Sequence, residues 1–220
     1  MNNSFEARII PEELTILSGL TNPYQIQLFL DQIPYSTEDI NRTPVEVIQD
    51  RVAHCLDGAI FAAAALQRLG LPPLLLDMFP DPGMDDDHVL AVFQNNGHFG
   101  AMAKSNFPGL RFREPIFRSI RELVLSYFEL FFNVDGVKTL RSYTRLLNLS
   151  QFDQLGWIFN RDGVNAIEQR LLTMNRKPLI TVDIAKNLNP VDPLSYKAGT
   201  VGVNPDGLYK PERKPEEVAV

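Results

Sequence analysis

One segment restricts the fold of this chain more than any other, the run CLDGAIFAAAALQRLG that begins at Cys55. Alanine and leucine dominate from Ala59 to Leu69, and both residues favour helix. Gly70 follows at the position where a left-handed residue often ends a helix. Because the segment is apolar nearly all round, water cannot face most of it. The sequence therefore predicts a helix that is buried inside the fold.

Segments of strand length come after this helix. The run LLLDMF follows Pro72 and Pro73, and HVLAVFQ follows the loop PDPGMDDD. Asn95, Asn96 and Gly97 predict a tight hairpin turn, because asparagine and glycine tolerate positive φ, and HFGAMAKS returns as a third strand. The pattern predicts an α+β fold in which the buried helix packs on a small antiparallel sheet.

Additional helices are expected to surround this core. Prolines interrupt residues 5–50, which is typical of a cap of short helices. The segment REPIFRSIRELVLSYFELFFN has apolar residues at helical spacing and predicts an amphipathic helix, and a further helix is expected near Val164 to Met174. The predicted helical cap therefore comprises residues 1–49 and 111–180.

Length and composition favour one domain with a tail. The chain has 220 residues, of which 45% are hydrophobic and 22% charged, as in an ordinary globular protein. We expect a single domain over residues 1–200. The polar stretch rich in proline and glycine at the end predicts a mobile C-terminal tail over residues 201–220.

Charge and hydropathy exclude two classes of partner. The net charge of −6, with no compensating basic stripe, argues against nucleic acid. No apolar run approaches the roughly 20 residues of a membrane span, and the N-terminal segment lacks the basic start of a signal peptide. With a single cysteine the chain can form no disulfide within itself. We therefore expect a soluble, cytoplasmic protein that binds neither nucleic acid nor membrane.

The single thiol, Cys55, is the candidate nucleophile. It begins the buried helix, where unpaired N–H groups and the helix dipole favour a thiolate. A thiolate nucleophile needs an imidazole partner. His54 points away from its chain neighbour on a helix and His98 lies at the hairpin turn, whereas His88 opens the second strand. His88 is therefore the predicted base.

The hairpin register suggests two candidates for the residue that orients His88. With a two-residue turn Ser105 lies opposite His88, whereas a one-residue bulge places Asn106 there instead. Either side chain can accept a hydrogen bond from the imidazole and fix its tautomer. Asn106 is favoured slightly, because its amide oxygen is the better acceptor, and Ser105 stays open.

A metal site is the alternative interpretation of the run Asp85, Asp86, Asp87 and His88. Carboxylates and imidazole can share a divalent cation, but consecutive residues of a strand point to opposite faces. A solvated acidic loop is the favoured interpretation, and no metal or other cofactor is expected.

The segments AHCLDGAIFAAAALQRLGLPP, DDDHVLAVF and HFGAMAKSN resemble the transglutaminase-like branch of the papain-like cysteine enzymes. The resemblance covers residues 50–107 and implies a catalytic triad of Cys55, His88 and Asn106 or Ser105. Its third residue is usually aspartate in that branch, whereas papain-like relatives use asparagine. The resemblance implies acyl transfer through a thioester, with the Cys55 backbone N–H and Gln49 as oxyanion donors.

Two functions of different class follow from these patterns. The first is a cysteine hydrolase or acyltransferase that acts on an amide bond through a thioester. Its substrate would be a peptide or protein, with the bond a peptide bond or a glutamine-type side-chain amide, or else a small amide. The second is a catalytically inactive transglutaminase-like scaffold that binds a peptide or protein partner. The reactivity of Cys55 separates the two.

Overall fold

The computed structural model describes residues 9–210. Its helices are α1 (Pro11–Gly19), α2 (Pro23–Gln32), α3 (Pro44–Asp50), α4 (Cys55–Arg68), α5 (Ile120–Leu125), α6 (Arg161–Thr173), α7 (Val182–Lys186) and α8 (Pro193–Gly199). Its strands are β1 (Leu74–Pro80), β2 (His88–Asn95), β3 (His98–Met102), β4 (Arg113–Phe117), β5 (Leu140–Thr144), β6 (Leu147–Asn148) and β7 (Arg176–Pro178). The α+β class expected from the sequence is confirmed.

The strands form one antiparallel sheet in the order β4-β3-β2-β1-β5-β7, and β6 pairs with β1. The predicted hairpin is confirmed, because Asn95 pairs with His98 across a turn in which Asn96 has a φ of 47° and Gly97 a φ of 78°. Positive φ at both central residues is what a twisted two-residue turn requires.

Helix α4 lies on one face of the sheet against β2, and its residues from Leu56 to Leu66 are all buried. This confirms the buried helix expected from the sequence. Gly58 allows the close approach, since a Cβ atom built there would lie 2.3 Å from the Cβ of Lys104. The ammonium of buried Lys104 donates to the carbonyls of Leu30 and Ile33 near the end of α2. The start of α4 is therefore fixed against the segment that follows β3.

Apolar residues cover both faces of the sheet, in two separate clusters. Val89, Ala91 and Phe93 of β2 belong to the cluster that contains α4. Leu90 and Val92 belong to the cluster on the other face, which also contains residues of α5 and the buried rings of Tyr127 and Phe131. Alternate residues of β2 therefore face opposite layers.

The amphipathic helix predicted for REPIFRSIRELVLSYFELFFN is wrong. Its first residues form β4, an edge strand that tolerates Pro115, and only Ile120–Leu125 are α-helical, with Ser119 as the N-cap. The expected helical cap of residues 111–180 also contains β5, β6 and β7, so the sheet is larger than expected. The helix expected near Val164 is confirmed as α6.

Residues 201–210, the first part of the predicted tail, form a strap that is hydrogen-bonded to the domain. The side chain of Asn106 donates to the carbonyls of Asn204 and Gly207, and the N–H of Asn204 donates back to Asn106. Residues 211–220, the rest of the predicted tail, lie outside the described residues. Within the described range, the helices are too short or too polar to cross a membrane.

Candidate functional site

Cys55 is the first residue of α4, and the residues on either side of it cap that helix. The Nδ1 atom of His54 accepts from the N–H of Leu56 at 3.2 Å, and the Asp57 carboxylate accepts from the N–H of His54 at 3.4 Å. This reciprocal arrangement satisfies N–H groups that have no partner inside the helix. Asp57 thus serves the helix start, as its position in the first turn suggests.

A cleft of about 400 Å³ opens beside Cys55. Tyr35 and the loop after it form one wall, Asp77 in the middle of β1 and Val89 at the start of β2 form the base, and α6 and the strap line the other sides. Carboxyl groups are its most frequent polar lining, from Glu38, Asp39, Asp77, Asp86, Asp87, Glu168 and Asp206. Among the described residues that line it, none is lysine or arginine. The described lining of the cleft is therefore acidic.

This environment suppresses the thiolate form of Cys55. Burial raises the pKa of the thiol well above its ordinary value, and the negative charges of Asp87, Asp77 and Asp86 act in the same direction. A hydrogen bond from the N–H of Val89 lowers the pKa, but it is outweighed. The position at the helix start therefore does not lower the pKa of Cys55, because desolvation and nearby carboxylates outweigh the helix dipole.

His88, the predicted base, does not face Cys55. Its side chain points to the same face of the sheet as Leu90 and Val92, the face opposite to α4. There Nε2 donates to the carbonyl of Leu110 at 2.8 Å, and the ring packs edge-on against Phe131. Burial lowers the pKa of His88 to about 4, so the ring is neutral near pH 7. The predicted contact between the sulfur and this imidazole is therefore not formed.

His54 cannot replace His88 as the base. Since its Nδ1 accepts from Leu56, the proton is on Nε2, which donates to the carbonyl of Ile40 at 3.1 Å. Burial also lowers the pKa of His54. His98 lies in the hairpin, where its Nδ1 donates to the carbonyl of Asn96. Each imidazole of the chain is thus hydrogen-bonded to backbone groups, and His54 alone of the three lines the cleft with Cys55.

The structure also separates the other predicted site residues from Cys55. Asn106 holds the strap through Asn204 and Gly207, and the hydroxyl of Ser105 accepts from the N–H of Phe107. The His88 ring donates its hydrogen bond to the carbonyl of Leu110 and not to either of these two side chains. Gln49, the predicted oxyanion donor, is exposed on α3 and is not among the described residues that line the cleft.

Asp77 is the site residue that the sequence reasoning missed. It lies in the middle of β1, is only 1% exposed, and has an Oδ1 atom without a hydrogen-bond partner in the described structure. Burial and the charge of Asp87 raise its pKa well above the usual range. A charged residue inside the apolar run LLLDMF was the signal that could have found it, because such a group is rarely buried without a purpose.

Arg42 connects the loop that forms one wall of the cleft to the start of α4. Its backbone N–H donates to Asp57 at 2.7 Å, and its guanidinium lies 3.8 Å from the same carboxylate. The guanidinium also contacts Ser36, Glu38 and Asp50. Although Arg42 is present, burial raises the pKa of Asp57 to about 7. This arginine is thus the buried centre of a polar network that reaches the surface at Glu38 and Asp50.

The described residues contain no group of three or more His, Cys, Asp and Glu side chains suited to hold a metal ion. Asp85 accepts from the hydroxyl of Thr139 at 2.9 Å, and Asp87 lies beside the cleft, while His88 points away. The four consecutive residues therefore do not converge on one point.

The buried carboxyls make stability depend on pH. Asp57 and Asp77 have higher pKa values in the folded chain than in the unfolded chain, so their stabilising protonation is lost as pH rises through the folded pKa. His88, whose pKa is lowered to about 4, acts in the opposite direction below the unfolded value of about 6.5, so it offsets only part of this fall near pH 6. We expect the free energy of unfolding to fall by on the order of 1–3 kcal/mol between pH 6 and 7.5.

Urea denaturation at several pH values measures this dependence. Asp77→Asn should make the chain more stable at pH 7.5 and flatten the profile, because the amide cannot ionise. The exposed Asp183→Asn is the matched control and should leave the slope unchanged. A wild-type stability that rises with pH over this interval would contradict the protonated state of the buried carboxyls.

Comparison with known proteins gives a distant likeness of fold. No protein-family model matches the sequence, and no curated protein matches it. One solved structure of Legionella pneumophila LapG has a TM-score of 0.35 and 19% identity, and the match covers 43% of this chain and 59% of LapG. EGTA-treated LapG has a TM-score of 0.38 and 14% identity, over 73% of this chain and 86% of LapG. This relationship is too remote to transfer a function.

Proposed function

We propose that this chain is a binding protein on a transglutaminase-like scaffold, which takes a peptide or protein partner in the cleft beside Cys55 and does not use the thiol as a nucleophile. The observation that carries the proposal is the position of His88 on the face of the sheet opposite to α4. Without His88 the thiol lacks its predicted base, and its carboxylate neighbours oppose ionisation.

Three further features support a binding role. The cleft is open to solvent and large enough for one or two side chains. Its lining combines carboxylates with apolar side chains, of which Leu56, Leu171 and Leu208 are examples. The Arg42 network and the bonds from Asn106 to the strap hold its walls in place. A preformed polar cleft of this kind binds with little ordering cost.

The rate of iodoacetamide labelling at Cys55 tests the proposal, since it is the single cysteine of the chain. We expect labelling of the native protein to be slower than that of a free thiol between pH 6 and 8.5, because the rate follows the thiolate fraction. His88→Gln should leave this rate unchanged, as should the hairpin control His98→Gln.

The enzyme hypothesis makes the opposite prediction. Labelling at pH 6 faster than that of free cysteine, lost in His88→Gln, would identify an activated thiol–imidazole pair and overturn the binding-only proposal. Circular dichroism of each variant shows whether the fold is retained, and His88→Asn provides a second test if the glutamine variant does not fold.

A further inference from the structure

The base of the cleft contains two carboxyls on neighbouring strands. Asp77 of β1 pairs with Val89 of β2, and Asp87 comes two residues before Val89, directly before the start of the same strand. Because residues two apart share a face, Asp87 and Asp77 are diagonal neighbours on the side of α4. Both line the cleft, as does Cys55. Two carboxyl groups thus meet at one buried point.

No positive group of the described chain neutralises this pair by direct contact. Arg176 is the cation that acts on both carboxyls, but it forms no ion pair with either one. Its guanidinium instead lies over the ring of Phe79, 3.5 Å from the centroid. Asp77, at 1% exposure, retains an oxygen without a hydrogen-bond partner. A buried carboxyl without a partner is costly, and a cationic ligand group would remove that cost.

Apolar side chains line the approach to these carboxyls. Val89 lies beside the base, Leu171 and Leu172 come from α6, and Leu208 comes from the strap. An alkyl chain can lie along such walls while a charge at its end reaches the base. The lining therefore matches a ligand that is apolar along its length and positive at its tip.

The carboxyls at the bottom of the cleft favour an ammonium ligand over a guanidinium ligand. A guanidinium forms its strongest pair when both oxygens of one carboxylate lie in its plane. Only Oδ1 of Asp77 lacks a hydrogen-bond partner, since the carboxyl also accepts from the backbone of Met78, so it does not offer both oxygens to one ligand. An ammonium is a compact point charge with three donors on a flexible stem, so it can lie between two carboxyls.

We infer that the cleft recognises a lysine side chain of a peptide partner, with the ammonium between Asp77 and Asp87 and the alkyl stem against Leu171 and Leu208. This inference rests on the proposed binding function and names its ligand chemistry. No covalent step is part of it, and the thiol of Cys55 serves as a neutral part of the lining.

Amide chemical shifts of the ¹⁵N-labelled full chain test the inference, with Nα-acetyl-lysine N-methylamide as the probe at pH 7.5. We expect saturable shifts at Cys55, Asp77 and Asp87. The norleucine analogue has the same stem without the charge and should give no saturable shifts at those residues. The arginine analogue should bind at least several-fold more weakly than the lysine probe, since its planar head fits the base less well.

The variant Asp77→Asn should weaken lysine binding about tenfold, which corresponds to the loss of a charge-assisted hydrogen bond of about 1.4 kcal/mol. Asp183→Asn removes an exposed carboxylate outside the cleft and should leave the affinity unchanged. The two variants have the same chemical change, so a difference between them reports position alone.

Several results would overturn the inference. These are the absence of lysine binding, equal binding of the norleucine analogue, tighter binding of the arginine analogue, or an unchanged affinity in Asp77→Asn. They leave the labelling behaviour of Cys55, and hence the proposed function, untouched. Fast labelling that depends on His88 would instead overturn the proposed function, even if the lysine probe still bound.

Discussion

Arg42→Met is expected to lower the free energy of unfolding by about 2–4 kcal/mol, because it removes the cation from a buried network. Arg42 has a side chain only 5% exposed and contacts Glu38, Asp50 and Asp57. Without the guanidinium, the fully buried Asp57 loses its nearest positive charge and its pKa rises further. Urea denaturation near pH 7 measures the loss of stability.

The control for this substitution is Arg161→Met. Arg161 pairs with Glu46, but its side chain is 48% exposed. Exposed pairs contribute about 0–1 kcal/mol, so the same chemical change should have little effect there. Equal losses in the two variants would show that burial of the Arg42 network does not contribute to stability.

Gly58→Ala is expected to destabilise the chain by about 2–3 kcal/mol, although alanine is the better helix former. The new Cβ atom would lie 2.3 Å from the Cβ of Lys104, which is closer than two non-bonded carbon atoms can approach. Helix α4 must then move away from the segment after β3. Thermal and urea denaturation measure the effect.

Gly19→Ala is the matched control, because a Cβ atom added to this residue at the end of α1 would meet no atom within 4 Å. Its stability should equal or slightly exceed that of the wild type. A Gly58→Ala variant as stable as the wild type would mean that α4 does not pack closely on the segment after β3.

Local patterns predicted the centre of the fold, and long-range pairing decided the rest. The buried helix and the β2–β3 hairpin follow from composition and from the turn at Asn96 and Gly97, which involve residues near one another in sequence. Strands β5 and β7 are short, and β5 pairs with β1 and with β7 across long stretches of chain. Pairing between strands far apart in the chain leaves little pattern within each strand's own sequence from which it could be predicted.

The candidate site shows how one position along a strand changes the chemistry. The run HVLAVF is apolar on both sides, since both faces of the sheet are covered. The strand therefore lacks the alternation between polar and apolar residues that normally indicates which of its faces is buried. Sequence reasoning placed His88 beside Cys55, whereas the fold turns Asp87 to that side.

The role of Asn106 depended on residues far away in the sequence. Its amide bonds Asn204 and Gly207, which follow it by about a hundred residues. The composition of the strap predicted mobility, and nothing local indicated that a single amide anchors it. Asp77 was predictable in part, because a carboxylate inside an apolar strand requires either a partner or a ligand.

Titration of the Cys55 thiol by thiolate absorbance at 240 nm measures whether the fold suppresses its ionisation, with Cys55→Ser as the baseline that removes the tyrosine contribution. The chain should show no thiolate below about pH 9 while it remains folded, because burial and the carboxylates raise the pKa. A thiolate that forms with a midpoint below about pH 7 would contradict this account and restore the enzyme hypothesis.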